Sequence, residues 1–284
     1  FDPSRWYAEQ LRFHKARTGR DIILKPRQIG ISTFELLYGL FLAQTRAGYN
    51  VRVFIHDDEK RAEFFRTVSL ADASSRAAGR APKLSAARAK HLVYETTGSS
   101  IGIDFAGVRE STAEKKGRSV TIHRAHCTEV AYWSAPDVTM TGVIGAVPDD
   151  GEVVIESTAN GAHGWFYDEY QKALAGESDY TPHFFAWHEH AGYRAPLPPG
   201  FDARPRDAHE EILLRLNIQP EQLAWWRNQV QRLTLDKALQ EFPVDAMSCF
   251  RAAGGSYIPQ ATLDWLSAQV RAPLRTVPLH SGLF

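Results

Sequence analysis

The sequence predicts a three-layer α/β fold, with a mostly parallel sheet, helices on both faces and a small helical subdomain after it. Short apolar runs alternate with helical patterns over the first two thirds of the chain, which is how βαβ units read. One run, Ile22-Ile23-Leu24, passes through a loop with Pro26 and Gly30 into an apolar-periodic segment from Phe34 to Leu42, giving strand, loop and helix. A cluster of Pro196, Pro198, Pro199, Gly200 and Pro205 then separates this region from patterns that are helical alone.

Residues 1–20 read as a helix carrying Trp6, Tyr7, Leu11 and Phe13, followed by a strand over Asp21 to Lys25. A helix over Ser32 to Ala47 stops at Gly48. Val51 to His56 is a short apolar strand, and Asp57 and Asp58 suit the start of a helix running to Ala78. Leu92 to Glu95 and Ser100 to Phe105 flank Thr97-Gly98-Ser99 and read as an antiparallel hairpin. Further strands are expected over Ser119 to Cys127, Val153 to Ser157 and His183 to His188, with helices over 136–146 and 163–176 between them. Beyond the proline cluster come helices over Glu210 to Leu216, Glu221 to Leu233 (after Pro220, a good helix starter) and Leu235 to Glu241. The last stretch, 242–284, reads as irregular with one helix over 260–271. The expected domains are a core over 1–195, a helical lid over 196–255 and a C-terminal extension over 256–284.

Hydrophobic content of 44% and charged content of 23% in 284 residues are those of a soluble globular protein. No apolar run approaches the ~18 residues of a membrane span, and the N-terminus lacks a signal-peptide pattern, so no membrane partner is expected. Cys127 and Cys249 make no disulfide framework, and a reducing compartment is the simpler reading. Acidic and basic residues balance at 33 each, which neither requires nor excludes nucleic acid, since basic charge can gather on one face. A chain opening on Phe1 reads as part of a longer one. His123, His126, His183, His188 and His190 lack zinc-site spacing and read as structural. Trp225-Trp226 reads as lid core.

Three strand ends carry the chemistry. The first is the loop Lys25-Pro26-Arg27-Gln28-Ile29-Gly30-Ile31-Ser32-Thr33. A strand–loop–helix turn can cradle phosphate in its backbone N–H groups. The usual pattern G-x-x-x-x-G-K-[ST] is met only at Gly30 and Ser32, because Lys25 fills the first glycine slot and Ile31 the lysine slot. Two readings stand: an ordinary strand–helix turn, or a phosphate loop whose lysine has moved to the front. The second strand end is Thr128-Glu129, where Glu129 suits either the water-activating carboxylate of a nucleotide hydrolase or a solvated or capping residue. The third is Ser157-Thr158-Ala159-Asn160-Gly161, small polar residues that suit either a γ-phosphate sensor or a helix N-cap. The mixed-charge run Arg109 to Arg118 reads as a solvated loop, or as an edge that reaches a neighbouring subunit or DNA phosphates.

The loop KPRQIGIST, the strand end HCTEVAYW, the segment ESTANGAHGWFY and the later EFPVDAMSCFRAAGG together resemble the ATPase domain of the large terminase subunit of tailed bacteriophages. The resemblance spans roughly the first 255 residues, and in that family a lysine at the front of the loop is a known variant. It implies a phosphate-loop ATPase core with a helical lid, hydrolysing ATP with Mg²⁺ to drive double-stranded DNA into a procapsid. Position by position, Lys25, Pro26, Arg27, Gln28, Ile29, Gly30, Ile31, Ser32 and Thr33 would form the nucleotide loop, with Ser32 on Mg²⁺. Thr128, standing where an Asp is usual, would hold Mg²⁺ through water. Glu129 would activate water, Arg27 would act as sensor or cis finger, and Arg118 would be the finger offered to a neighbouring subunit. Ser157, Thr158 and Asn160 would form the coupling motif, and Gln10 would read adenine. The implied partners are DNA, a homo-oligomeric ring on the capsid portal and a small terminase subunit, in the cytoplasm of an infected bacterial host. The family's nuclease needs an acidic cluster for two metals. After Phe250 only Asp264 is acidic, so no nuclease activity is expected of this sequence. The alternatives are another ATP-driven nucleic-acid translocase or helicase, and a non-catalytic portal-docking module.

Overall fold

The computed structural model describes residues 3–88, 90–106, 121–253 and Gln269. Its sheet is built from β1 (Arg20–Leu24), β2 (Asn50–Ile55), β3 (Leu84–Arg88), β4 (His91–Tyr94), β5 (Ser100–Phe105), β6 (Arg124–Thr128), β7 (Glu152–Ser157) and β8 (Thr181–Phe184). These form one 8-stranded sheet in the order β3-β4-β5-β2-β6-β7-β1-β8. From β5 to β8 every neighbouring pair is parallel, whereas β3–β4 and β4–β5 are antiparallel. The order places β7 between β1 and β6, so the ends of those three strands lie side by side.

Central parallel strands are covered on both faces and therefore read as continuous apolar runs. All of β6, and all of β1 and β7 after their first residue, is buried. Alternation along β1 sends Ile22 and Leu24 to one face and Ile23 to the other. On the first face, α4 (Pro136–Ile144) and α5 (Trp165–Ala175) bring Val143, Phe166 and Tyr170 against Cys127 and Ile155. On the opposite face, α1 (Ala8–Ala16), α2 (Ile31–Thr45) and α3 (Asp58–Ala77) supply Phe13, Phe34, Leu36, Leu40 and Val68. Asp57 caps α3, its carboxylate accepting from the N–H groups of Glu59 and Lys60 at 2.8 and 3.0 Å.

After the proline cluster come α6 (Ala208–Arg215), α7 (Pro220–Leu233), α8 (Leu235–Glu241) and α9 (Ser248–Ala253). The first three share an apolar cluster with the core: Leu213, Leu223, Trp226 and Ala238 pack with Phe13, Ile23, Ile29 and Trp187. Trp187 stacks on both tryptophans of α7, its ring centroid 5.0 Å from Trp225 and 5.7 Å from Trp226. α9 crosses to the other face, where Cys249 and Phe250 pack against Phe166 and Tyr170.

Several boundaries differ from the sequence expectation. β3 joins the predicted hairpin as a further strand. The first helix ends at Ala16 because the Asp21 carboxylate accepts from the N–H groups of Thr18 and Gly19 and folds the chain into a turn. The strand expected to reach His188 stops at Phe184, since Trp187–Glu189 forms a 3-10 turn that carries Trp187 against α7. β6 starts only at Arg124, and the expected residues 119 and 120 lie outside the described ones. So does the helix expected over 260–271, apart from Gln269. Among the described residues no helix is long and apolar enough to cross a membrane.

Candidate active site

The loop after β1 is fastened at its base and presents exposed side chains at its crest. The Lys25 N–H donates to the Ser157 carbonyl at 3.1 Å, continuing the β1–β7 ladder, and Ile29 is buried in the core. Arg27 and Gln28 are exposed. Gln28 (φ 59) and Gly30 (φ 77) are left-handed, a conformation that helps successive N–H groups face one concavity. α2 starts directly after Gly30 with no side-chain cap. The N–H groups of its first turn, at Ile31, Ser32 and Thr33, therefore have no acceptor within the helix and sit at its positive end. Ser32 is half-buried and Thr33 exposed, whereas Ile31, in the usual lysine slot, is fully buried in the core. Gln10 ties α1 to this loop: its amide accepts from the Tyr7 N–H at 3.0 Å and donates to the Gly30 carbonyl at 2.9 Å. That is the position taken by the residue expected to read adenine. A Cβ on Gly30 would stand 2.8 Å from the Gln10 amide nitrogen.

Lys25 points along the strand ends. Its Nζ lies 3.0 Å from Glu156 Oε2 and 3.3 Å from Glu129 Oε1. Lysine and both carboxylates thus meet across β1, β7 and the end of β6. Burial disfavours the ammonium charge, but Glu129 and Glu156 outweigh it and hold the lysine pKa above its ordinary value. Burial likewise works against the Glu156 charge. The Lys25 charge and the hydrogen bond with His126 overcome it and hold that carboxyl well below the usual range. His126 Nε2 is 3.2 Å from Glu156 Oε1, and both side chains are wholly buried. His126 and Glu156 are the residues that sequence reasoning misses here.

Glu129 ends β6 in the left-handed region, at φ 56 and ψ 41. A non-glycine residue held there costs on the order of 1 kcal/mol, and such strain gathers at functional sites. The turn after it is fixed by the Trp133 indole N–H, which donates to the Thr128 carbonyl at 3.0 Å. Thr128 is buried with its hydroxyl toward Glu156, where it favours the charged carboxylate.

The segment after β7 is stitched to that same turn. Ser157 Oγ accepts from the Ala131 N–H at 3.2 Å, Thr158 Oγ1 pairs with the Tyr132 hydroxyl at 3.0 Å, and the Asn160 amide donates to the Ala131 carbonyl at 3.0 Å. Arg27 meets α8 instead. Its N–H donates to the Glu241 carbonyl at 3.1 Å, its Nε lies 3.5 Å from Glu241 Oε2, and its carbonyl accepts from the Tyr193 hydroxyl. Burial raises the Glu241 carboxyl above its usual range despite Arg27. Arg118 and the charged run before it lie outside the described residues.

Lys25, Gly30, Ser32, Glu129, Ser157, Thr158 and Asn160 therefore stand at the C-terminal ends of parallel strands, the edge where open α/β sheets bind ligands. The uncapped start of α2, a buried cation and a carboxylate on strained backbone can bind an anion and activate water beside it. Among the described residues no group of three His, Cys, Asp or Glu gathers that could hold a metal alone. Ser32, in the first turn of α2, supplies a hard oxygen donor, which suits an Mg²⁺ ion that takes most of its ligands from phosphate and water. The buried Thr128 hydroxyl, turned to Glu156, is a poorer donor.

No protein-family model matches the sequence, and no curated protein matches it. Solved structures do. The fold is similar to the Thermus phage P74-26 large terminase ATPase domain, with a TM-score of 0.60 and 14% identity, covering 86% of this chain and 94% of that one. It is also similar to the HK97 bacteriophage large terminase, with a TM-score of 0.57 and 14% identity, covering 86% of this chain and 50% of that one. An 8-stranded, mostly parallel sheet with helices on both faces gives this protein the fold of a phage large terminase ATPase domain.

Proposed function

We propose that this protein is an Mg²⁺-dependent ATPase whose hydrolysis drives double-stranded DNA into a viral procapsid. One observation carries the reading. Lys25 is a buried cation at the base of the Lys25–Gly30 loop, and it is held between Glu129 and Glu156. A lysine at the front of the loop can thus serve the role that Ile31, buried in the core, cannot.

In this reading the N–H groups of the loop from Gln28 onward and of the first turn of α2 receive the nucleotide phosphates. Lys25 adds a point charge whose long stem lets it turn from the carboxylates toward the γ-phosphate. Its departure leaves the Glu129 carboxylate free to accept a proton from water as that water attacks. Ser32 would hold Mg²⁺, with Thr128 reaching it through water, and the ion would neutralise charge developing on the phosphate oxygens. Arg27 serves as a sensor at the loop crest, Gln10 reads adenine, and Arg118 completes charge stabilisation in a neighbouring subunit of a ring. Ser157, Thr158 and Asn160 relay the change from the Glu129 turn. The ring stands on the capsid portal, is loaded by a small terminase subunit and works in the cytoplasm of an infected bacterium.

Calorimetric titration with ATPγS and Mg²⁺ tests the first step. Saturable binding to the wild-type chain is expected, and no binding at millimolar ligand overturns the reading. Strand separation of a DNA duplex during turnover would replace packaging with a helicase.

A further inference from the structure

The last two residues of α8 touch all the strand-end segments of the site. Gln240 is 2% exposed. Its amide donates to the Ala159 carbonyl at 2.8 Å and lies 3.4 Å from the Tyr132 hydroxyl, while its Oε1 accepts from Lys237 at 2.8 Å. The Tyr132 hydroxyl donates to the same Ala159 carbonyl at 3.2 Å and pairs with Thr158 Oγ1. Glu241, next in sequence, takes the Arg27 N–H and faces the Arg27 guanidinium. Neighbouring residues of one lid helix therefore hold the Ala159 segment and the loop crest.

These contacts differ in physical character from apolar packing, and the other buried amide of this kind, Gln222, bonds the His188 carbonyl at 2.7 Å and not a strand end. Leu213, Leu223, Trp226 and Ala238 meet the core through apolar packing, which is non-directional and carries little register of its own. A buried amide is different. Its bonds weaken steeply with angle and distance, and leaving a buried amide donor unpaired costs about 1–3 kcal/mol. If the Ala159 segment shifts, α8 has to follow it or lose that bond.

We propose that Gln240 is the positioning residue that makes the lid follow the Ser157–Gly161 segment, with the Tyr132 hydroxyl as its second arm. The proposal rests on the ATPase reading above, which supplies the change the lid would follow. Gln240 touches neither the loop nor Glu129; it acts through Ala159 and Tyr132.

The test uses the chain with reporter cysteines at two exposed positions, Arg215→Cys on the lid and Leu174→Cys on the core. The native Cys127 and Cys249 are buried and should stay unlabelled. Spin-label distances are measured without nucleotide, with ATPγS and with ADP. A nucleotide-dependent shift is expected in the parent and should be largely lost in Gln240→Glu. That variant keeps the shape and the Lys237 contact but sets an oxygen against the Ala159 carbonyl. Its ATPγS affinity should stay within about threefold of the parent, under 1 kcal/mol, and turnover should lose kcat with KM little changed. Tyr132→Phe should weaken the shift in the same direction, and it carries the test if Gln240→Glu does not fold. A full shift retained in the variants overturns the proposal. So does an affinity loss beyond tenfold in Gln240→Glu, or a parent that binds nucleotide without any shift. A parent that binds no nucleotide overturns the ATPase reading, and this proposal with it.

Discussion

Lys25 Nζ lies 3.0 Å from Glu156 Oε2, and the two side chains come from neighbouring strands that are both buried at this point. The pairing follows from register. Glu156 stands opposite Ile23 on β1 and opposite Thr128 on β6, so it occupies the middle of the three strand ends. Lys25 reaches back over it as the chain leaves β1. Behind the carboxylate, His126 fills its other oxygen. A cation buried this deeply is retained only with such partners.

Glu156→Gln removes one carboxylate from Lys25 and leaves the lysine Glu129 alone. Breaking a buried pair by removing one partner costs about 3–5 kcal/mol, and the surviving contact puts this variant near the lower figure. The pH dependence has a definite sign. The folded-state pKa of Glu156 is depressed, so its contribution is complete above the unfolded Glu value near 4.3 and is lost as pH falls toward the folded one. Urea unfolding at pH 7 and again near pH 3 should show the gap between wild type and variant narrowing in acid. A gap that does not change would mean that charge pairing is not what holds Glu156.

Lys25→Met should lower ATPγS affinity at least tenfold, about 1.4 kcal/mol, by titration calorimetry. Restoring a lysine at the usual slot, as Lys25→Met with Ile31→Lys, should not recover it. Ile31 is packed with Ile23 and Phe34, so a lysine there loses core packing and buries an unpaired charge. Recovery of binding by the double variant would show that the front lysine is not the phosphate contact. Thermal unfolding of each variant separates loss of binding from loss of fold.

Glu129→Gln keeps the side-chain shape and removes the base. General-base catalysis is worth ~10²–10⁴ in rate, and single-turnover hydrolysis should fall by that order. ATPγS affinity should hold or rise, because Lys25 then has one carboxylate fewer to leave. Hydrolysis at the wild-type rate would remove Glu129 from the role of base.

What the sequence makes legible is the set of strand ends; what it hides is which side chains meet there. Ile22-Ile23-Leu24 and Val153-Val154-Ile155 are visible because strands covered on both faces must be apolar throughout. Leu84-Ser85-Ala86-Ala87-Arg88 is not, since small and polar residues give no strand signal and β3 owes its form to pairing with β4. Glu129 is visible as a carboxylate at a strand end, but its left-handed backbone has no sequence mark. Glu156 reads as a lone acid closing an apolar run. Its importance comes from the order β6-β7-β1, in which a strand late in sequence inserts beside an early one. For the same reason His126 reads as structural, although it supports a carboxylate that holds Lys25.

Gly30 closes the loop under two constraints that can be separated. Its φ of 77° disfavours any side chain, and a Cβ there would press on the Gln10 amide at 2.8 Å. Gly30→Ala should therefore both strain the backbone, by about 1 kcal/mol or more, and push Gln10 off the Gly30 carbonyl. Gln10→Ala alone removes the bond without touching the backbone, at about 1 kcal/mol. In the double variant the clash has no partner and only the left-handed strain is added. The double variant should then lose less stability than the two single losses combined, a coupling of about 0.5–1 kcal/mol in a thermodynamic cycle. Strict additivity would mean that Gln10 already moves away in Gly30→Ala at no cost, and that α1 does not hold the loop. ATPγS affinity measured on the same four proteins then distinguishes the two roles of Gln10. If it only props the loop, affinity follows the shape of Gly30. If it also reads the base, Gln10→Ala weakens ATPγS more than an analogue lacking the adenine amino group.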